Sequence, residues 1–297
     1  MRVNPNFAPN ILEDVWQSQT QAQNAMQELA TGRRVNLPSD DPAAFAGDIQ
    51  NQAEQSQVDQ YLQNTTSLEG LFQTADSTLS SVVTSLNQAI SLGTQGANGT
   101  MSLADQQALA LQVQAIQAQM VQLGNTSYQG NFIFAGTATT TKPFVLDPTQ
   151  ASGVDYNGNN NTNSVQIADG RTIQMNVPGS QIFLGSGGNV MQSLQQLVTA
   201  LNSGDTTAIG TATTAVSTAL NYVSQQRVFY GSAVQALTSN QAFLQQEQVN
   251  LQSQETSLVG ADMAKAATDL TQATTAHDAA LAALAKVIPN SLLDYLK

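Results

Sequence analysis

The sequence predicts an α+β protein: an elongated helical rod, or coiled-coil bundle, built from both chain ends and carrying an inserted β-rich domain. Three observations predict it. Apolar or small residues recur at alternating spacings of three and four over both halves of the 297-residue chain. Between those halves, from Asn131 to Gly188, the period falls to two and the turn chemistry is that of hairpins. Charged residues make up 10% of the chain and aromatics 5%, against ~25% charged in ordinary soluble proteins. The core is therefore expected to be aliphatic and alanine-rich.

The first stripe is Ile11, Val15, Ser18, Ala22, Ala25 and Leu29, and Gly32 follows as a helix C-cap. After the loop RRVNLPSD, Asp41 suits an N-cap and Pro42 suits a first helical position, where its missing N–H is unpaired anyway. The helix so opened is expected to reach about Leu92 on the stripe Val58, Tyr61, Thr65, Leu68, Phe72, Ala75, Leu79, Val82, Leu86 and Ala89. GTQGANGT breaks it. Ser102 with Asp105 forms a capping box for a third helix striped by Leu109, Val113, Ile116, Met120 and Leu123.

The pattern changes at Gly124. Asn131 to Ala135 is expected to be a strand, and Ser164–Ala168 and Thr172–Val177 are expected to pair around Asp169-Gly170 in a type I′ turn. The Asn-rich run from Gly158 to Asn163 has the composition of a surface tip that tolerates trimming. Helical spacing returns at Val190, Leu194, Leu197 and Leu201. A long seam then runs Val216, Leu220, Val223, Arg227, Tyr230, Val234, Leu237, Gln241, Leu244, Gln248, Leu251, Glu255 and Leu258. At ~1.5 Å per residue that helix is roughly 80 Å long, which suits a rod. A last stripe carries Met263, Leu270, Thr274, His277, Leu281, Leu284 and Ile288, with Pro289 expected to interrupt it before SLLDYLK. The expected organisation is thus a terminal-helix segment over residues 1–40 pairing with 261–297, rod halves over 41–130 and 189–260, and a β-rich outer domain over 131–188.

Composition removes several function classes. Nine basic residues against 21 acidic ones give a net charge of −12, and none of the basic ones falls between Arg34 and Lys142. Nucleic acid and anionic membranes recruit Lys and Arg clusters, so neither is an expected partner. Without cysteine there is no thiolate nucleophile, disulfide or cysteine-ligated metal, and no cofactor or metal is expected. No apolar run approaches the length of a membrane span. MRVNPNFAPN has prolines and polar residues where a cleaved signal would have its apolar stretch, so no cleaved signal is expected.

His277 is the single histidine, and the neighbouring Asp278 points to another helix face and cannot orient it as in a catalytic triad. On an apolar stripe, His277 is expected to be a packing or interface residue. Asp40 and Asp41 are better explained by capping beside Pro42 than by paired-carboxylate chemistry. Arg227, Gln241, Gln248 and Glu255 interrupt a heptad seam, where polar residues either specify register or leave the seam shallow and wet. No catalytic residue is expected. The candidate assembly residues are Ile11, Val15, Leu29, Asp41, Pro42, Leu270, His277, Leu281, Leu284, Leu292, Leu293 and Tyr295. The alanine-rich end stripes bury little area and are expected to gain order when many copies pack together.

Several segments taken together resemble the flagellin family, on its hook–filament junction branch. LATGRRVNLPSDDPAAFAGDI is similar to the family's helix–loop–helix signature, with Gly32, Arg33 and Asp40-Asp41-Pro42-Ala43 in place. Gly130 to Thr137, followed by Lys142-Pro143-Phe144, is similar to the branch's transition into its β-rich domain. Arg227 and Gly231 in RVFYG resemble the return helix, and SLLDYLK is closer to the junction branch than to filament subunits. PNFAPNILEDVWQ is not the usual opening, and His277-Asp278 stands where an aromatic-plus-amide pair is commoner.

The resemblance implies a structural, non-enzymatic protein of the extracellular bacterial flagellum, exported through the type III apparatus without a cleaved signal. It implies self-assembly as a helical ring layer, with a hook-side junction protein and flagellin as axial neighbours. It also implies an export chaperone at the C-terminal region, terminal helices lining the inner tube, and an outward β-rich insert. Filament flagellin or another hook-associated protein remains the alternative within the family, and a cytoplasmic coiled-coil scaffold the alternative outside it.

Overall fold

The computed structural model describes the backbone of residues 7–293 and the side chains of residues 12–285. Three helices come first: α1 (Phe7–Thr31), α2 (Pro42–Gly96) and α3 (Leu103–Gly124). Six short strands follow: β1 (Ser127–Tyr128), β2 (Asn131–Phe132), β3 (Phe144–Leu146), β4 (Val154–Tyr156), β5 (Ser164–Ala168) and β6 (Arg171–Gln174). The chain then returns to helix in α4 (Gly179–Phe183), α5 (Val190–Ser203), α6 (Thr206–Val259) and α7 (Met263–Leu293). Helices from both halves around short antiparallel strands are the expected fold class.

The helix boundaries follow from local chemistry. Gly32 ends α1 at φ 68°, a left-handed conformation that costs glycine nothing. The Ala44 N–H donates to Asp41 Oδ1 at 3.0 Å, so Asp41 caps α2 and Pro42 is its first residue. Ser102 Oγ accepts the Asp105 N–H at 3.2 Å and donates to Asp105 Oδ2 at 2.7 Å, so Ser102 is the N-cap of α3 and the Asp105 carboxylate binds its hydroxyl, not its backbone N–H as in a full capping box. Asp205 and Asp262 accept N–H groups in the first turns of α6 and α7. α2 runs four residues beyond the expected Leu92, and α7 passes through Pro289. A proline deletes one helical N–H and crowds one carbonyl, so near the end of a helix it does not force a stop.

The chain divides into two compact units. Val58–Gln245 forms the larger one, with a single core drawn from α2, α3, the strand segment, α5 and α6. Every residue of the expected α2 stripe from Val58 to Ala89 is buried, as are Leu109, Val113, Ile116 and Met120 of α3 and Val190, Leu194, Leu197 and Leu201 of α5. The core is not purely aliphatic, however. Its bulkiest fully buried side chains include Tyr230, Phe72, Phe134, Phe144 and Phe183. They gather in two clusters, Phe72 with Phe229 and Tyr230, and Phe183 between Phe134 and Phe144 at ring separations of 5.5 and 5.2 Å. Few aromatics in a sequence do not make a core without aromatics when six of those among the described residues, four of them phenylalanines, are buried inside it.

The six strands form three separate two-stranded antiparallel ribbons, β1–β2, β3–β4 and β5–β6. The expected strand over 131–135 stops at Phe132, because the backbone turns there to bury Ile133, Phe134 and Ala135. The β5–β6 hairpin forms where expected, but β6 spans Arg171–Gln174 rather than reaching Val177, and its turn is not type I′: Gly170 has φ 64°, whereas Asp169 has no positive φ. Positive φ at two adjacent turn residues is found instead at Gln129 (50°) and Gly130 (84°), between β1 and β2.

The Asn-rich run is not a free tip. The Asn159 N–H donates to Ala135 O at 3.1 Å, and Asn159 Oδ1 accepts the Thr137 N–H at 2.9 Å and the Asn161 N–H at 3.1 Å. Asn176 clamps the far end, accepting the Asn163 N–H at 2.8 Å and donating to Asn161 O at 3.1 Å. Gly136 makes the close approach possible: its φ is 70°, and a Cβ there would lie 2.1 Å from Asn159 O. Amide side chains are used here as internal backbone substitutes, which a composition-based rule scores as solvation. Asn159→Ala should therefore destabilise the Val58–Gln245 unit by about 1–3 kcal/mol, since two backbone N–H groups lose their acceptor. Urea unfolding of the full chain measures this.

Candidate assembly site

The smaller unit is built from the two ends of the chain, up to residue 57 and from residue 246. α1 and α7 pack against each other within it, and the antiparallel bridge of Arg33 with Gly260, just after the end of α1 and just before the start of α7, makes the two run in opposite directions. Their contact is made by small side chains. Ser18 and Ala25 of α1 and Ala266 and Ala273 of α7 are buried, so the two backbones approach closely but bury little apolar area. Val15 and Leu29 flank the α1 side, and Leu270, His277 and Leu284 the α7 side, each half-buried.

The other face of α1 carries Leu12, Trp16 and Met26, with Trp16 68% exposed. A tryptophan left so open buries little of the large apolar area it can offer a partner. On α7, Leu281 and Met263 are exposed. His277 Nδ1 stands 3.9 Å from Asp278 Oδ1, too far for a hydrogen bond, so no orienting contact of the catalytic kind exists. Among the described residues no cluster of His, Asp and Glu could hold a metal ion. Ile11, Leu292, Leu293 and Tyr295 lie outside the described side chains.

Where the two ends meet, the backbone forms a short bridge. The Arg34 N–H donates to Val259 O at 2.7 Å and the Ala261 N–H to Gly32 O at 2.9 Å, placing Arg33 opposite Gly260. The Arg33 guanidinium then joins α2 to α6: one nitrogen donates to Asp48 Oδ2 and the other to Glu255 Oε1 at 3.1 Å. Gln52 also donates to Asp48 (2.9 Å) and Gln55 to Glu255 (3.0 Å), while Asn51 Nδ2 reaches Leu251 O at 2.9 Å. The Asp48 side chain is only 3% exposed, and its second oxygen, Oδ1, is buried without a hydrogen-bond partner. Arg33 is therefore the main compensation for a buried charge.

The loop between α1 and α2 is held by the two neighbouring aspartates, which do different jobs. Asp40 accepts the Leu37 N–H at 2.8 Å and the Asn36 N–H at 3.0 Å, and these donors hold its carboxyl below the usual range. Asp41 is lowered first by the Ala44 N–H it caps and further by the Arg34 guanidinium. In the larger unit, Arg227 of the α6 seam makes a two-pronged pair with Asp76 of α2, at 3.0 and 3.2 Å. Two of the polar seam positions, Arg227 and Glu255, thus pair charges across to other segments and help define register. The sequence marks these positions as anomalies. Nothing in it marks Asp48, Asn51, Gln55 or Asp76 as their surroundings, because partners 15 to 222 residues away leave no local pattern.

Residues 4–139 match the profile of the bacterial flagellin N-terminal helical region, and residues 213–296 that of the bacterial flagellin C-terminal helical region. Flagellar hook-associated protein 3 of Salmonella typhimurium is 32% identical over 173 residues, covering 58% of this chain and 53% of that protein. The chain thus matches about half the length of this curated relative. Flagellin of Listeria innocua is 24% identical over 242 residues, 81% of this chain and 79% of that protein. The fold is similar to that of the flagellar junction protein from Legionella pneumophila, with a TM-score of 0.59 at 14% identity, covering 72% of this chain and 100% of that one.

Arg33→Ala strands Asp48 and should cost about 3 kcal/mol of stability, with Arg33→Lys losing less, as measured by denaturant unfolding. Carboxyls held below their unfolded pKa stabilise the fold above that value and lose the contribution as pH falls through the folded one. The acid limb of a thermal-stability profile should accordingly be shallower in the Asp40→Asn, Asp41→Asn double variant than in the parent.

Proposed function

This chain belongs to the flagellin family, and on that footing we propose that it is a structural subunit of the bacterial flagellum, placed at the junction between hook and filament. It performs no catalysis. Both ends of the chain match the family's helical regions, and the carrying observation is that these ends pair as α1 and α7 while leaving Leu12, Trp16 and Met26 outward. That face supports side-by-side packing of copies in a helical ring layer. A low charge density lets identical acidic chains approach with a limited repulsive cost.

In this reading the axial neighbours are a hook-side junction protein and flagellin, and an export chaperone takes the C-terminal helix region before assembly. Ile11, Val15, Leu29, Leu270, His277, Leu281, Leu284, Leu292, Leu293 and Tyr295 belong to the assembling ends. Asp41 and Pro42 set the start of α2 behind them. Among the described residues no helix is long and apolar enough to cross a membrane. The likeness to Listeria flagellin across most of the chain favours one second reading, a filament subunit.

Immunogold labelling separates the two, since a junction subunit labels only the hook–filament boundary and a filament subunit labels the whole length. A deletion strain should make complete hooks and shed flagellin into the medium. Trp16→Gln should leave the unfolding transition of the isolated chain within about 0.5 kcal/mol of the parent and reduce motility. Normal motility with that variant would remove Trp16 from the assembling face.

A further inference from the structure

The chain contains two Asn-Gly pairs, Asn98-Gly99 and Asn157-Gly158. In such a pair the glycine backbone nitrogen can attack the asparagine Cγ, because no side chain shields it. The nitrogen loses its proton, the Cγ–Nδ2 bond breaks, and ammonia leaves with that proton. Water then opens the five-membered imide at either carbonyl, giving aspartate or isoaspartate. No oxidant, reductant or enzyme is needed. In the folded chain, two things set the rate: how freely the local backbone can rotate into the ring geometry, and how well the amide oxygen is stabilised as it takes up charge.

The two pairs differ on both counts. Asn98, Gly99 and Thr100 are exposed in the connection between α2 and α3, and nothing lies within 4 Å of where a Gly99 Cβ would stand. Asn98 Oδ1 accepts two hydrogen bonds, from the Thr100 N–H at 3.2 Å and from Thr100 Oγ1 at 3.0 Å. Both donors draw electron density from Cγ and meet the oxygen on which negative charge develops during attack. Asn157-Gly158 lies in the clamped Asn-rich run. The Asn157 N–H is held by Pro143 O at 2.8 Å, the Asn159 N–H by Ala135 O at 3.1 Å, and Asn159 O by the Tyr156 hydroxyl at 3.1 Å, so both neighbours of Gly158 are fixed. A Cβ on Gly158 would meet Tyr156 Oη at 2.5 Å and Ala135 O at 2.9 Å, so backbone rotation there meets packed atoms.

We infer that Asn98 is a self-modification site, converting by deamidation in the folded chain while Asn157 is protected by its fold. The products differ in consequence. Aspartate at 98 keeps both Thr100 donors and adds one negative charge to a chain already at −12. Isoaspartate inserts a methylene into the main chain and disturbs the turn in which the Met101 N–H donates to Asn98 O at 3.0 Å. Met101 packs against the main core, so that product loosens the join between α2 and α3.

The test incubates the full-length folded protein at mildly alkaline pH and follows it by Asp-N digestion with tandem mass spectrometry. The pairs fall in separate fragments, residues 76–104 and 155–168. A gain of about 1 Da should accumulate at Asn98 at least about tenfold faster than at Asn157. Aspartate at 98 creates a new Asp-N cleavage point, and isoaspartate does not. In denaturant the two rates should converge, which separates protection by the fold from intrinsic sequence reactivity. Gly99→Ala should suppress the change, and Thr100→Val should slow it by removing the hydroxyl donor. Conversion of Asn157 as fast as Asn98 in the native chain overturns the inference, and an unchanged rate in Thr100→Val overturns the role given to Thr100.

Discussion

A side chain that returns to the same helix face every three and four residues can bury a line of contacts along any length of helix, and this protein is organised around that constraint. α2 and α6 are 55 and 54 residues long without a break. Within the larger unit they run antiparallel, as Asp76 opposite Arg227 and Thr65 opposite Asn240 require. Within the smaller unit the same is true of Asn51 and Leu251. An apolar seam alone tolerates sliding by a heptad, because one leucine resembles the next. The charged pairs and buried amides are discrete and do not repeat, so each permits one register.

The strand segment depends on those helices for its own backbone satisfaction. A two-stranded ribbon leaves unpaired groups along both outer edges, and three such ribbons do not stabilise themselves in water. Helix amides cover part of the deficit. Asn64 Nδ2 donates to Gln166 O at 2.9 Å and Asn240 Nδ2 to Ile167 O at 2.7 Å, so carbonyls of β5 are bound by side chains of α2 and α6. Gln166 Nε2 in turn donates to Tyr61 Oη at 3.0 Å. Phe134, Phe144 and Phe183 supply the apolar half of the same attachment. The unusual wealth of Asn and Gln thus has a structural use beyond solubility: an uncharged amide can be buried against a carbonyl without the desolvation cost of an ion.

The smaller unit shows how the two ends of this chain meet. Alanine and serine faces allow α1 and α7 to approach but contribute little burial, so the joint between them is strengthened by polar contacts. The backbone bridge at Arg33 and Gly260 aligns the two segments, and the Arg33 guanidinium then ties Asp48 to Glu255. A small apolar contact sits there beside a strong, directional ion-pair cluster, while other apolar side chains of these ends, Trp16 foremost, are exposed.

What was legible in the sequence alone was most of what depends on local period and local caps. The stripes from Val58 to Ala89 and from Val190 to Leu201, the caps at Gly32, Asp41 and Ser102, and the β5–β6 hairpin all follow from neighbours within a few residues. That is the range over which helix and strand geometry impose a pattern. Tertiary structure decided the rest. It ended a strand at Phe132 so that Phe134 could enter the core, drew the Asn159 loop inward, and gave Asp48 its arginine. Those outcomes rest on atoms brought together from distant parts of the chain. A hydrogen bond or ring contact between such residues has no period for a sequence to display.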